Sequence, residues 1–173
     1  MEKILIIPGL RNSGPAHWQT WLESTLPNTR RVEQGDWERT CLSDWAARVR
    51  EEIDASTGSL WLIAHSFGCL AAVTAGFVRP ERIRGALLVA PADPNRFAEP
   101  AALLEEKLAF PSLVVASSND PWVASHAAEY WAGQWGSEYI NIGEAGHINV
   151  DSGHGPWLEG LGLFEQLRAK ATA

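Results

Sequence analysis

The run Leu60-Trp61-Leu62-Ile63-Ala64 is apolar at every position and leads straight into His65-Ser66-Phe67-Gly68-Cys69. Consecutive apolar residues, rather than alternating ones, are expected of a strand covered on both faces inside a parallel sheet. The small-residue run Leu70-Ala71-Ala72-Val73-Thr74-Ala75-Gly76 that follows reads as a helix. A strand, a tight small-x-Ser-x-Gly turn and a helix make a nucleophile elbow, which holds a serine hydroxyl out at the end of a parallel sheet. Ala64 and Gly68, two residues either side of Ser66, are small enough to let strand and helix approach closely.

The rest of the chain keeps this alternation. Strand-like runs at 3–7, 29–33, 60–64, 86–90, 112–116 and 138–142 are separated by helical patterns at 15–26, 43–55, 67–78, 122–135 and 156–169. In the first helical pattern Trp18, Trp21, Leu22 and Thr25 recur at amphipathic spacing. Ser43 reads as the cap of the second, with Asp44 in its first turn, and Asp120-Pro121 as N-cap and first residue of the fourth. The alternation predicts an α/β fold: a three-layer α/β/α arrangement with a parallel sheet, helices on both faces and right-handed crossovers. The 173 residues suit a single domain spanning 1–173. Residues 91–110 hold Pro91, Pro94 and Pro100 and a short helical run at 101–108. They read equally as a small lid over the strand ends or as a plain crossover with a long lead-in.

Composition removes several function classes. A formal net charge of −7 argues against a nucleic-acid surface, which needs a basic patch. Cys41 and Cys69 are too few for a disulfide framework and read as reduced thiols of a cytoplasmic protein. The run Ile4-Leu5-Ile6-Ile7 is too short for a signal peptide or a membrane span. The histidines at 17, 65, 126, 147 and 154 form no metal-ligand spacing, so no metal is expected. The loop Pro8-Gly9-Leu10-Arg11-Asn12-Ser13-Gly14 lacks the Lys-Ser/Thr ending of a phosphate-binding loop and the G-x-G-x-x-G pattern, and no cofactor is expected. The nine tryptophans read mainly as core, with some available to line a cleft.

A serine hydroxyl is a poor nucleophile until a base takes its proton. His147, in the loop Gly143-Glu144-Ala145-Gly146-His147-Ile148-Asn149 after the last strand, is the candidate base; His126 and His154 lie in or near helices. Asp120, directly after the fifth strand, is the candidate acid, with Asp93 and Asp151 as competitors. Ser66, Asp120 and His147 run in the order Ser…Asp…His of α/β-hydrolases, each just past a separate strand. The backbone N–H of Phe67 is one candidate oxyanion donor, and that of Leu10 the other.

The combination resembles the small serine hydrolases related to retinoblastoma-binding protein 9, which include YdeN-like bacterial proteins. The resemblance spans essentially the whole chain. It rests on Ile4-Leu5-Ile6-Ile7-Pro8-Gly9-Leu10, Ser13-Gly14-Pro15-Ala16-His17-Trp18-Gln19-Thr20-Trp21, Gln34-Gly35-Asp36-Trp37, Ala64-His65-Ser66-Phe67-Gly68-Cys69, Ser118-Asn119-Asp120-Pro121 and Gly146-His147-Ile148-Asn149. It implies a reduced hydrolase sheet of about six strands without a large cap domain, with Ser66 as nucleophile, Asp120 as acid and His147 as base. Pro8 stands where many relatives have histidine; it has no N–H to donate, which leaves Leu10 as donor. His17, Trp18 and Trp37 match family positions and, with Trp122, are candidates for a substrate-contacting wall; packing of the oxyanion loop is the alternative for the first three. The expected substrate is a small ester or amide. A protein- or ligand-binding module on an inactive hydrolase scaffold is the alternative, and a protein partner is left open. A flavodoxin-like nucleotide binder shares the alternation but fits the late Asp and His loops less well.

Overall fold

The computed structural model describes residues 2–172. Among them are six strands: β1 (Lys3–Ile7), β2 (Thr29–Arg31), β3 (Leu60–His65), β4 (Ile83–Val89), β5 (Ser112–Ala116) and β6 (Glu138–Asn141). They form one parallel sheet in the order β2-β1-β3-β4-β5-β6. The α-helices are α1 (Trp18–Thr25), α2 (Leu42–Ala55), α3 (Phe67–Val78), α4 (Ser125–Trp135) and α5 (Leu158–Thr172).

Period-two alternation sorts each strand's side chains between two cores. Leu62, Ala64, Leu88 and Val114 pack with Trp45 and Val49 of α2, with α3, and with Trp131 and Trp135 of α4. Ile6, Ile63, Leu87 and Val115 pack on the other face with Trp18 and Leu22 of α1 and Phe164 of α5. Every residue of β3 is buried, so both layers depend on it. Each fully buried leucine, isoleucine or phenylalanine contributes about 1.5–3 kcal/mol over exposure.

The strand order reverses beside β1, which is flanked by β2 on one side and β3 on the other. Open parallel sheets bind ligands in the crevice at the carboxyl ends of such a switch point. The loop after β1 and the turn after β3 border that crevice.

Several boundaries differ from the sequence expectations. Strand β4 begins at Ile83 because Ile83 pairs with Leu60 across a register shift. Strand β2 stops at Arg31, although the Val32 N–H still reaches the Ile6 carbonyl. Helix α1 starts at Trp18 rather than residue 15, because His17 is extended and caps it through Nδ1, which accepts from the Gln19 N–H. Ser43 does not cap α2: Cys41 stands at the N-cap, and the Leu42 N–H donates to Glu99 Oε1 at 3.0 Å. Helix α4 starts at Ser125, three residues later than expected, because the Asp120 carboxylate bonds the Trp122 and Val123 N–H groups in a turn that precedes the helix. The expected helical run at 101–108 is a single 3₁₀ turn, Ala101–Leu104, with a second 3₁₀ turn, Pro94–Phe97, ahead of it.

Candidate active site

Ser66 sits between β3 and α3 with φ 55° and ψ −124°. A non-glycine residue at positive φ is strained and persists only where its surroundings hold it. The Ser66 N–H donates to the Val89 carbonyl at 3.0 Å, and its own carbonyl accepts from Ala92 and Cys69. Gly68 makes the turn sterically feasible: a Cβ there would lie 2.4 Å from both the Ile7 and Pro8 carbonyl oxygens.

The three residues singled out by chain order come together at the carboxyl edge of the sheet. His147 Nε2 lies 3.0 Å from Ser66 Oγ, and His147 Nδ1 lies 2.8 Å from Asp120 Oδ2. The Asp120 side chain is 1% exposed. Its second oxygen, Oδ1, accepts the Trp122 N–H at 2.8 Å, so capping and orientation of the imidazole are shared between the two oxygens. With Nδ1–H donated to the carboxylate, Nε2 carries the lone pair that faces the serine hydroxyl. Asp93 instead caps the 3₁₀ turn Pro94–Phe97, and Asp151 lines the cleft without bonding His147. His126 is exposed on α4, and His154 bonds Ser152 Oγ and packs on Trp157.

The loop carrying His147 is tied down from both sides. Asn119 Oδ1 accepts the Gly146 N–H at 2.8 Å, and Ser117 Oγ accepts the Ala145 N–H at 2.9 Å. On the other side, His65 Nε2 donates to the His147 carbonyl at 2.9 Å and Trp18 Nε1 donates to the Ile148 carbonyl at 2.8 Å.

The loop after β1 is held against the elbow. Gly9 abuts Ser66, and the Arg11 N–H donates to the Trp37 carbonyl at 2.9 Å. Arg31 bonds the Ser13 carbonyl and Asn12 Oδ1 from below. The N–H groups of Leu10 and Phe67 have no protein acceptor among the described residues. Phe67 is the first residue of α3, whose N-terminal N–H groups have no partner within the helix and carry its positive dipole end.

A cleft of about 480 Å³ opens above Ser66. His17, Trp122, Phe97 and Arg96 are among its walls. Trp122 is 63% exposed and its ring centre lies 6.4 Å from that of His147. Two of the four candidate wall residues do not reach the cleft. Trp18, the first residue of α1, is fully buried edge-on against Trp157, and Trp37 packs edge-on against Trp45, so both serve packing. Residues 91–110 form part of the cleft wall through Ala92, Arg96 and Phe97, and are anchored by buried Leu104 and Phe110.

Burial sets the ionisation of the groups packed around the site. Burial, with Arg31 and His147 nearby, lowers the His17 pKa to about 4. Burial, reinforced by His147 and His17, holds His65 neutral well below its ordinary range. Burial also pushes the Cys69 thiol up, so this elbow neighbour stays a neutral, unreactive thiol. Sequence reasoning passed over His65 and Asn119; the elbow and the Ser-Asn-Asp motif contain them, but nothing in their spacing announces the bonds they make.

A parallel sheet switching beside β1, with a strained serine at a strand-to-helix turn, is the frame of an α/β-hydrolase. The chain belongs to the serine hydrolase family, whose model matches residues 4–166. It is similar to a protein from Pectobacterium atrosepticum described as a YdeN-like hydrolase, at 38% identity over 99% of this chain and 92% of that one, with a TM-score of 0.93. It shares its fold with the YdeN gene product of Bacillus subtilis, at 18% identity over 98% and 100% of the two chains and a TM-score of 0.80. Est1E of Butyrivibrio proteoclasticus, solved with ferulic acid bound, shares the fold at 15% identity over 100% and 90%, with a TM-score of 0.81. No curated protein sequence matches this chain. No helix among the described residues is long and apolar enough to cross a membrane.

Proposed function

We propose that this protein hydrolyses small carboxylic esters or amides through an acyl-enzyme formed on Ser66. The observation that carries the reading is the hydrogen-bonded chain from Ser66 Oγ to His147 Nε2 at 3.0 Å and from His147 Nδ1 to Asp120 Oδ2 at 2.8 Å. His147 takes the hydroxyl proton as Oγ attacks the acyl carbon, and returns it to the departing alcohol or amine. Water, deprotonated by the same imidazole, then releases the acid and regenerates Ser66. Asp120 keeps the imidazole in the productive tautomer and offsets the imidazolium charge. The Phe67 and Leu10 N–H groups receive the oxyanion, with Gly9 permitting the approach. His17 and Trp122 line the space where acyl or leaving group sits. The buried Cys69 and free Cys41 suit a reducing compartment, which we take to be the cytoplasm.

Reaction with a fluorophosphonate tests the assignment. The folded protein is expected to form one covalent adduct, and Ser66→Ala to form none. Absence of an adduct on the folded wild type, together with no turnover of p-nitrophenyl acetate, would return the chain to the reading of a binding module on an inactive scaffold.

A further inference from the structure

His147 is aimed by more than Asp120. The residue after it, Ile148, has φ 48°. Left-handed backbone is a genuine outlier for a β-branched side chain and costs of order 1–3 kcal/mol, so the surroundings must impose it. Ile148 is fully buried, and its carbonyl and that of His147 are the two groups this twist presents to the interior. Each receives one side-chain donor. Trp18 Nε1 reaches the Ile148 carbonyl at 2.8 Å and His65 Nε2 the His147 carbonyl at 2.9 Å. The donors support one another, with the Trp18 and His65 rings edge to face at 5.9 Å. The Trp18 backbone N–H also holds the far end of the same segment, at the His154 carbonyl.

We propose that Trp18 and His65 are positioning residues: a two-point clamp that holds the left-handed His147-Ile148 backbone and so sets the distance from His147 Nε2 to Ser66 Oγ. The inference rests on the triad reading above and deepens it. His65 closes a ring. Its backbone is continuous with Ser66, its side chain grips the His147 backbone, and the His147 side chain returns to Ser66. Nucleophile and base are thereby tied to a common part of the sheet. Of the other buried tryptophans, Trp45 and Trp135 donate to the Arg39 and Leu104 carbonyls, away from this loop, and Trp61 and Trp157 have indole N–H groups with no partner among the described residues. The donor tautomer of His65 requires a proton on Nε2, which its hydrogen bond to a carbonyl supplies a reason for.

The test uses Trp18→Phe, which keeps an aromatic ring and removes the donor, and His65→Leu and His65→Gln, of which only the glutamine offers an N–H in place of Nε2. With p-nitrophenyl acetate, Trp18→Phe and His65→Leu are expected to lower kcat by about 10²-fold, the cost of a misplacement near 1 Å, with KM within about twofold. His65→Gln is expected to recover most of that loss. The downfield proton resonance of His147 Nδ1–H should broaden in the two donor-less variants and return in His65→Gln. Folded variants with unchanged kcat and an unchanged resonance would overturn the clamp. A measurement on the wild type guards against variants that do not fold. Hydrogen exchange of the Trp18 indole should be slow, and exchange as fast as that of an exposed indole would also overturn it. Failure of the triad reading looks different, because the wild type itself would then form no fluorophosphonate adduct.

Discussion

Gly9 and Ser66 are in contact across the crevice: a Cβ on residue 9 would fall 2.9 Å from the Ser66 Cβ and 3.0 Å from the His65 carbonyl oxygen. No side chain fits there without moving one backbone away from the other. The contact seats the loop that continues into Leu10 against the start of α3, with the Phe67 backbone nitrogen 3.5 Å from that hypothetical Cβ.

On the proposed mechanism, in which the Leu10 N–H receives the oxyanion, Gly9→Ala is expected to displace the loop and move that donor out of place. Loss of one such donor costs about 10²–10³-fold in kcat. KM should change little, because the donor acts on charge that develops after binding. Steady-state kinetics on an activated ester check this. Gly68→Ala should behave differently, since its Cβ would meet two backbone carbonyls at 2.4 Å. Its main effect is lost stability, read as a lower Tm before any kinetic effect is seen.

Asp120 serves two partners with two oxygens, and substitutions can separate them. In Asp120→Asn the amide oxygen would still accept the Trp122 N–H, while the amide nitrogen, facing His147, would force the wrong imidazole tautomer. We expect kcat to fall by about 10⁴-fold with Tm nearly unchanged. Asp120→Ala loses both roles and should add about 1 kcal/mol of destabilisation. Equal losses of stability in the two variants would contradict the shared role.

What could be read in the sequence follows from where the information is local. The elbow was legible because β3 is apolar at consecutive positions and Ser66 interrupts it. Asp120 and His147 were legible as polar residues just past strand ends. The start of α4 was not, because Asp120-Pro121 has the local chemistry of a helix cap, yet the N–H groups it caps, Trp122 and Val123, belong to a turn that ends before the helix begins at Ser125. Trp18 and Trp37 look alike in sequence, as aromatic residues near loops. Only the chain path buries the first against Trp157 and sets the second against Trp45. The bonds from His65 and Trp18 to the base loop span 82 and 130 residues, and no periodicity encodes a contact at that separation.

Stability should fall on mild acidification. His17 is buried and neutral with its pKa lowered from 6.5 to about 4, so between those values the unfolded chain binds a proton that the folded one refuses. Its contribution is fully present above pH 6.5, declines as pH falls toward 4, and amounts to about 3 kcal/mol over that window. His65 acts in the same direction. Urea unfolding at a series of pH values should show the decline, and His17→Gln should make it shallower. A curve flat between pH 6.5 and 4 in the wild type would contradict a buried neutral His17.

Trp122 is the cleft residue best placed to report on substrate without disturbing the fold. Its ring is 63% exposed beside His147, and its link to the 91–110 segment is a bond from Arg96 to its backbone carbonyl, which any side chain at 122 retains. Trp122→Ala should leave stability within the range of exposed substitutions, about 0.5 kcal/mol. It should raise KM for p-nitrophenyl butyrate by about 5- to 10-fold, the scale of one or two lost apolar contacts in a pocket, with kcat within about twofold. For p-nitrophenyl acetate, whose acyl chain is shorter, the KM effect should shrink if the indole packs on the acyl group and persist if it packs on the leaving group. Comparing the two esters on this one variant thus assigns the Trp122 wall to one side of the scissile bond.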